Sequence, residues 1–192
     1  MVPENATTID ALPRHLAEHR FARLYREHAR EILGYALRRS PDPEDAADVV
    51  AETFLVAWRR LADVPAGEEG RLWLFGTARL VLANQHRGER RRSRLTEELR
   101  AELRSKLPAE TREDRSGVLK ALAALGEDDR ELLMLVGWEE LTPAQTARVL
   151  GITSLAVRSR LHRARRRLRE RLAEGETGDV AESRLETKEV RR

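Results

Sequence analysis

Gly151-Ile152-Thr153-Ser154-Leu155-Ala156-Val157-Arg158-Ser159-Arg160-Leu161-His162-Arg163-Ala164-Arg165-Arg166-Arg167-Leu168 is the stretch that decides the fold. Val157, Leu161, Ala164, Leu168 and Leu172 recur at spacings of three and four, which places them on one stripe of an α-helix. Arg158, Ser159, His162 and Arg163 share another face and are expected to point outward. Just upstream, Thr142-Pro143-Ala144-Gln145 reads as a helix start. Thr142 suits the N-cap, Pro143 the first helical position, and Gln145 falls where a capping box needs it. The pattern predicts a short helix from Thr142 to about Leu150, a tight turn at Gly151, and a second helix headed by basic residues. That is a helix-turn-helix. An arginine run is by default the solvated face of a terminal helix. This one follows a capped helix and a glycine turn, in phase with an apolar stripe, and so much guanidinium with little acid suits phosphate-lined major groove.

Composition bounds the rest. A chain of 192 residues has room for one large domain or two small ones. Hydrophobic residues at 41% can build real cores, while 4% aromatic and 36% charged suit small helical bundles with wet surfaces. The net charge of +3 hides a separation: arginine concentrates around 87–94 and 158–171, and acid gathers in the N-terminal third and the tail. No cysteine is present, which excludes disulfides, a cysteine zinc site and a thiol switch. Met1-Val2-Pro3-Glu4-Asn5 has no basic, then apolar, leader pattern, and no apolar run approaches ~18 residues, so a soluble cytoplasmic protein with no membrane partner is expected.

Along the chain, residues 1–18 read as a flexible arm and 19–92 as a first bundle. Phe21, Leu24, Tyr25, His28, Ile32, Tyr35 and Ala36 fall at helical spacing from about Glu18 to Arg39. Ser40-Pro41-Asp42-Pro43 breaks the chain, because proline disfavours helix at the residue before it. A second helix opens on Glu44 and Asp45, with Val49, Val50, Thr53, Phe54, Ala57, Trp58 and Leu61 as its apolar side. The loop Val64–Gly70 precedes a third, from Arg71 to about Arg91, with Trp73, Leu74, Ala78, Val81 and Leu82 inward. Alternating charge and Pro108 make 93–115 a flexible linker. A second bundle occupies 116–173, and 174–192 is expected to be a disordered tail. With no strand-period segment, the fold class is all-α: two small helical bundles joined by a linker.

In this order the motifs carry a resemblance. They are Asp45-Ala46-Ala47-Asp48-Val49-Val50-Ala51-Glu52-Thr53-Phe54-Leu55-Val56-Ala57-Trp58-Arg59, then Trp73-Leu74-Phe75-Gly76-Thr77-Ala78-Arg79, then Val157 to Arg165. Phe21–Arg92 resembles sigma region 2 and Leu119–Leu172 resembles sigma region 4, so the chain is similar to extracytoplasmic-function (ECF, group 4) sigma factors. The resemblance implies binding to core RNA polymerase (the β′ clamp helices and the β flap), to promoter DNA, and to an anti-sigma factor. It implies that Asp48, Glu52, Leu55 and Arg59 contact the clamp, and an acidic helix is a fitting partner for a basic coiled-coil surface. It implies a base pocket in the loop beginning at Val64, supported by Trp73, with Asn84, Arg87, Arg90, Arg91 and Arg92 along the melted −10 strand. It implies that Arg158, Ser159, His162 and Arg163 face −35 base edges, since arginine binds guanine in bidentate fashion, with Arg166 and its neighbours at phosphates.

Four positions depart from the family pattern: Ala51 for a common Gln, Leu80 for a common Asn, and the pair Leu155-Ala156 for a common Gly-Thr. They bear on individual contacts, not on the fold. The competing reading is a helix-turn-helix transcriptional regulator acting on duplex DNA without being a polymerase subunit. Phe21–Arg92 is too small and charged for that regulator's ligand pocket. An enzyme is disfavoured, because no Gly-rich phosphate loop, catalytic triad or spaced metal ligands appear, and His15, His19, His28, His86 and His162 are scattered. No catalytic residue, metal or cofactor is expected.

Overall fold

The computed structural model describes residues 13–104 and 117–189, and their side chains over 13–87 and 117–174. Among the described residues there are seven α-helices and no strands: α1 (Arg14–Leu37), α2 (Pro43–Arg59), α3 (Glu68–Arg104), α4 (Gly117–Ala123), α5 (Glu127–Gly137), α6 (Pro143–Leu150) and α7 (Ser154–Glu189). The chain divides into two compact units, Met1–Lys106 and Leu107–Arg192.

In the first unit α1, α2 and α3 pack on one another. The Ser40–Pro43 break ends in a built cap: the Asp42 carboxylate accepts from the Glu44 N–H at 2.8 Å, and Pro43 occupies the first turn. Glu44 and Asp45 then set negative charge at the positive end of α2. Ile32, Tyr35 and Ala36 of α1, Val49, Phe54 and Ala57 of α2, and Leu74, Phe75 and Ala78 of α3 are buried. The Tyr35 and Phe75 rings lie 5.4 Å apart at their centroids. Truncating such an aromatic to alanine costs about 3–5 kcal/mol. Thr53 is buried as a polar residue, yet its hydroxyl donates to the Val49 carbonyl at 2.6 Å and so stays satisfied. Leu72 and Phe75 join the core beyond the expected inner face of α3, whereas Tyr25 is exposed and Trp73 half-buried.

In the second unit α7 packs against α4, α5 and α6. Leu132, Ala147, Val157 and Leu161 form its centre, with Leu133, Val136, Leu150 and Ile152 packed around them. The stripe expected on α7 is buried at Val157, Leu161 and Ala164 and half-buried at Leu168 and Leu172.

The structure differs from the expected boundaries in three places. Helix α1 starts at Arg14 inside the expected arm, because Pro13 opens it with its carbonyl accepting from Leu16 and Ala17 and because Ala17 is buried. Helix α3 runs to Arg104, into the expected linker, where Ser93-Arg94-Leu95-Thr96-Glu97-Glu98-Leu99-Arg100-Ala101-Glu102-Leu103-Arg104 holds no Gly or Pro. Helix α7 runs to Glu189 through the expected tail. A helix already formed needs only propagation, and each of Gly175 and Gly178 costs about 1 kcal/mol without stopping it. The remaining parts of the arm, linker and tail, 1–12, 105–116 and 190–192, lie outside the described residues.

Glu140 is the one non-glycine residue with positive φ among those described, at 54°. Its left-handed turn lets the Leu141 N–H reach the Leu135 carbonyl at 3.1 Å. Its side chain is exposed, so little contact is at stake in replacing it. Glu140→Gly should stabilise the second unit by about 1 kcal/mol, since glycine accepts this conformation without the Cβ clash. Calorimetric melting checks this, and a lowered midpoint would contradict it.

Candidate nucleic-acid and polymerase interfaces

The helix-turn-helix is built by three local devices. Thr142 and Gln145 close a capping box: the Gln145 N–H donates to the Thr142 hydroxyl at 3.3 Å, and the Gln145 side-chain oxygen accepts from the Thr142 N–H at 2.8 Å. Gly151 ends α6 in the left-handed region, at φ 66° and ψ 32°, and the Ile152 N–H bonds back to the Ala147 carbonyl at 3.0 Å. Thr153 then starts α7, its hydroxyl accepting from the Ala156 N–H at 3.2 Å.

Burial of Val157, Leu161 and Ala164 turns the opposite face of α7 outward. Arg158, Ser159, His162, Arg163 and Arg166 are all exposed, as the spacing requires. No acidic side chain among the described residues pairs with Arg158 or Arg163, so both guanidinium groups face water. Arg166 lies 3.5 Å from Glu170, and Arg167 is bound to Asp129 of α5. Arg167 therefore braces α7 against α5 and separates in role from its two neighbours. Leu155, one of the departures from the family pattern, is 69% exposed at the start of the same helix.

On α2, Asp48, Glu52, Leu55 and Arg59 are all exposed. Their spacing of four, three and four puts them on one stripe, on the side away from Val49, Thr53 and Ala57. Neither Asp48 nor Glu52 is neutralised by a cation among the described residues. The stripe is thus acid at its N-terminal part and apolar, then basic, towards its end.

The loop and α3 are less uniform. Val64 is buried at 2% exposure, and its carbonyl accepts from the Arg20 guanidinium. Its side chain packs inside the unit and is not open to a base, so Val64 shapes the loop instead of lining a pocket. Arg71 anchors the loop's far end, donating to Glu31 of α1 and to Glu68 at 2.9 Å each. Burial alone would lower the Arg71 pKa, but the hydrogen bonds and charges of Glu31 and Glu68 outweigh it and raise it above its ordinary range. Gly70 is buried, and a Cβ there would come within 2.5 Å of the Pro65 carbonyl oxygen, so the close approach requires glycine.

Trp73, Thr77, Leu80, Asn84 and Arg87 share one face of α3 by their spacing, with Trp73 half-buried and Leu80, Asn84 and Arg87 exposed. Arg87 donates to the Asn84 side-chain oxygen. Arg90 and Arg91 continue α3, and their side chains lie outside those described. The sequence places Gly70 in the loop and Leu80 at a departure from the family pattern, but neither the close backbone approach at Gly70 nor the exposure of Leu80 beside Asn84 is expected from it. A signal for each was present: a glycine three residues after Gly67 at a helix start, and a leucine out of phase with the inner face.

The fold and these surfaces define an all-α protein with a three-helix unit and a helix-turn-helix unit. Residues 24–92 match the family model for Sigma-70 region 2, and 115–168 match that for Sigma-70, region 4. The chain is 35% identical over 155 residues to the ECF RNA polymerase sigma factor SigL of Mycobacterium tuberculosis, covering 79% of this chain and 88% of SigL. It is 33% identical over 145 residues to the RNA polymerase sigma-E factor of Streptomyces coelicolor, covering 73% and 79%. Among solved structures, CnrH in complex with the cytosolic domain of CnrY aligns with TM-score 0.59 and 26% identity, covering 84% of this chain and 97% of CnrH. The sigma factor RpoE in complex with the anti-sigma factor NepR, from Bartonella quintana, shares the fold at TM-score 0.60 and 24% identity, covering 80% and 96%. The chain belongs to the ECF RNA polymerase sigma factors.

The close approach at Gly70 is testable directly. Gly70→Ala should destabilise the first unit by about 1–3 kcal/mol, because the clash is with backbone and cannot be relieved by a side-chain rotation. Chemical denaturation followed by tryptophan fluorescence measures it, and an unchanged midpoint would show that the loop yields freely.

Proposed function

We propose that this sigma factor divides its work between its surfaces. The first unit, through the Asp48, Glu52, Leu55 and Arg59 stripe of α2, binds the β′ clamp helices of core RNA polymerase. The Trp73, Asn84 and Arg87 face of α3, continued by Arg90 and Arg91, follows the melted −10 strand. The second unit contacts the β flap and reads the −35 element, with Arg158, Ser159, His162 and Arg163 at base edges and Arg166 at a phosphate. An anti-sigma factor is the proposed restraint on these surfaces, by likeness to the complexes of CnrH with CnrY and of RpoE with NepR. The chain acts as an initiation factor on cytoplasmic DNA and not as an enzyme. No helix among the described residues is long and apolar enough to cross a membrane.

One observation supports this reading over a duplex-only regulator: the uncompensated acid on α2. Two carboxylates facing water on a DNA-binding protein repel phosphate, so that stripe serves a different partner. A basic surface on polymerase is complementary to it.

Two measurements follow. Replacing Asp48 and Glu52 together by lysine should abolish capture by core polymerase while leaving helicity by circular dichroism unchanged, since both side chains project into solvent. Capture retained by the double variant would remove α2 from the interface. On the DNA side, Arg158→Ala and Arg163→Ala should each cost about 1–3 kcal/mol on the preferred −35 sequence and relax preference at one or two bases. Arg166→Ala should weaken all sequences alike and lower the salt slope by about one. Unchanged base preference in Arg158→Ala would exclude it from the groove.

A further inference from the structure

We propose that Leu155 reads a thymine of the −35 element by packing against its C5-methyl group, an inference that rests on the assignment of α7 to the major groove. Single exposed leucines are ordinary on protein surfaces. What distinguishes this one is its register and its company. Ser154 and Ala156 are half-buried and Val157 is buried, so Leu155 is the side chain of the first full turn that stands clear, at 69% exposure. The Thr153 hydroxyl is already occupied by the Ala156 N–H. Leu155 precedes Ser159 by four residues and His162 by seven, which aligns all three on one outward face.

The N-terminal residues of a recognition helix are the ones that reach base edges. A leucine there has no hydrogen bond to offer phosphate or base. In the major groove the apolar feature available to it is the thymine methyl, and it finds nothing to match on guanine, cytosine or adenine. Desolvating that methyl against a branched aliphatic side chain gives a preference for T over C without any polar contact. Arg158 and Arg163, flanking the same face, supply the guanine preference that Leu155 cannot. The element should therefore carry at least one thymine beside its guanines, and the position is set by α7's own first turn.

The experiment uses holoenzyme assembled from core polymerase and the full chain. Its −35 element is first mapped by selection from randomised sequence in that window. Each thymine of the element is then replaced singly by deoxyuridine, which removes the methyl and nothing else. Binding is compared for the wild-type chain and for Leu155→Ala, a substitution that keeps the helix because alanine is a good helix former and the leucine is exposed. The wild type should lose about fourfold at one thymine, the ratio for removing one methyl from an apolar contact. Leu155→Ala should bind the unmodified element more weakly and be indifferent to deoxyuridine at that position. An element without thymine, no sensitive position, or equal sensitivity in both proteins would overturn the proposal. Scrambling the whole element with no loss of wild-type binding would instead overturn the groove assignment itself, and that result is read before any substitution is made.

Discussion

The surfaces of the second unit depend on one backbone constraint, the left-handed turn at Gly151. It ends α6 with its last carbonyls satisfied and redirects the chain so that Val157 and Leu161 fall onto Leu132 and Ala147. Once those two side chains are buried, rotation of α7 about its axis is settled, because its apolar stripe has one place to go. The outward direction of Arg158, Ser159, His162 and Arg163 follows as a consequence and needs no interaction of its own. A side chain at 151 would meet no neighbour but would have to bear the positive φ, at about 1–2 kcal/mol.

The same logic governs the first unit with different chemistry. Packing among α1, α2 and α3 buries Val49, Phe54 and Ala57 on α2 and Leu74, Phe75 and Ala78 on α3. What is left facing water is an acidic stripe on one helix and a mixed apolar and basic face on the next. Asp48 and Glu52 of the acidic stripe have no cationic partner among the described residues, so their charge faces solvent. Arg20, Glu31, Glu68 and Arg71 act otherwise, tying the loop before α3 to α1. Among the described residues charge thus braces the fold where acid and base meet and is left facing solvent where they do not. Arg167 and Arg158 show the contrast along one helix, the first held by Asp129 across to α5 and the second exposed with no acidic partner among the described residues.

Periodicity carried most of what was legible beforehand. The α2 stripe and the α7 face were readable because apolar residues at three-and-four spacing state which side is inward, and the polar remainder is then outward by elimination. The Thr142, Pro143, Gln145 and Gly151 signals were local chemistry, and each is present as geometry. Three kinds of information were not legible. Helix ends beyond the core, as in α3 and α7, carry no tertiary pattern, and alternating charge looks the same in a helix as in a linker. The carbonyl of the buried Val64 is held by Arg20, forty-four residues away, and a loop sequence does not announce such a partner. The role of Gly70 lies in a backbone approach, which has no compositional signature at all.

In the proposed function the two units act through polymerase and not on DNA alone. Permanganate footprinting of a promoter tests it most directly, because the reagent oxidises unstacked thymines. Core polymerase with this protein should expose thymines in the −10 region that neither component exposes by itself. Protection of the −35 duplex by the protein alone, with no reactive thymine when core polymerase is added, would contradict the account and return the chain to a duplex-binding regulator.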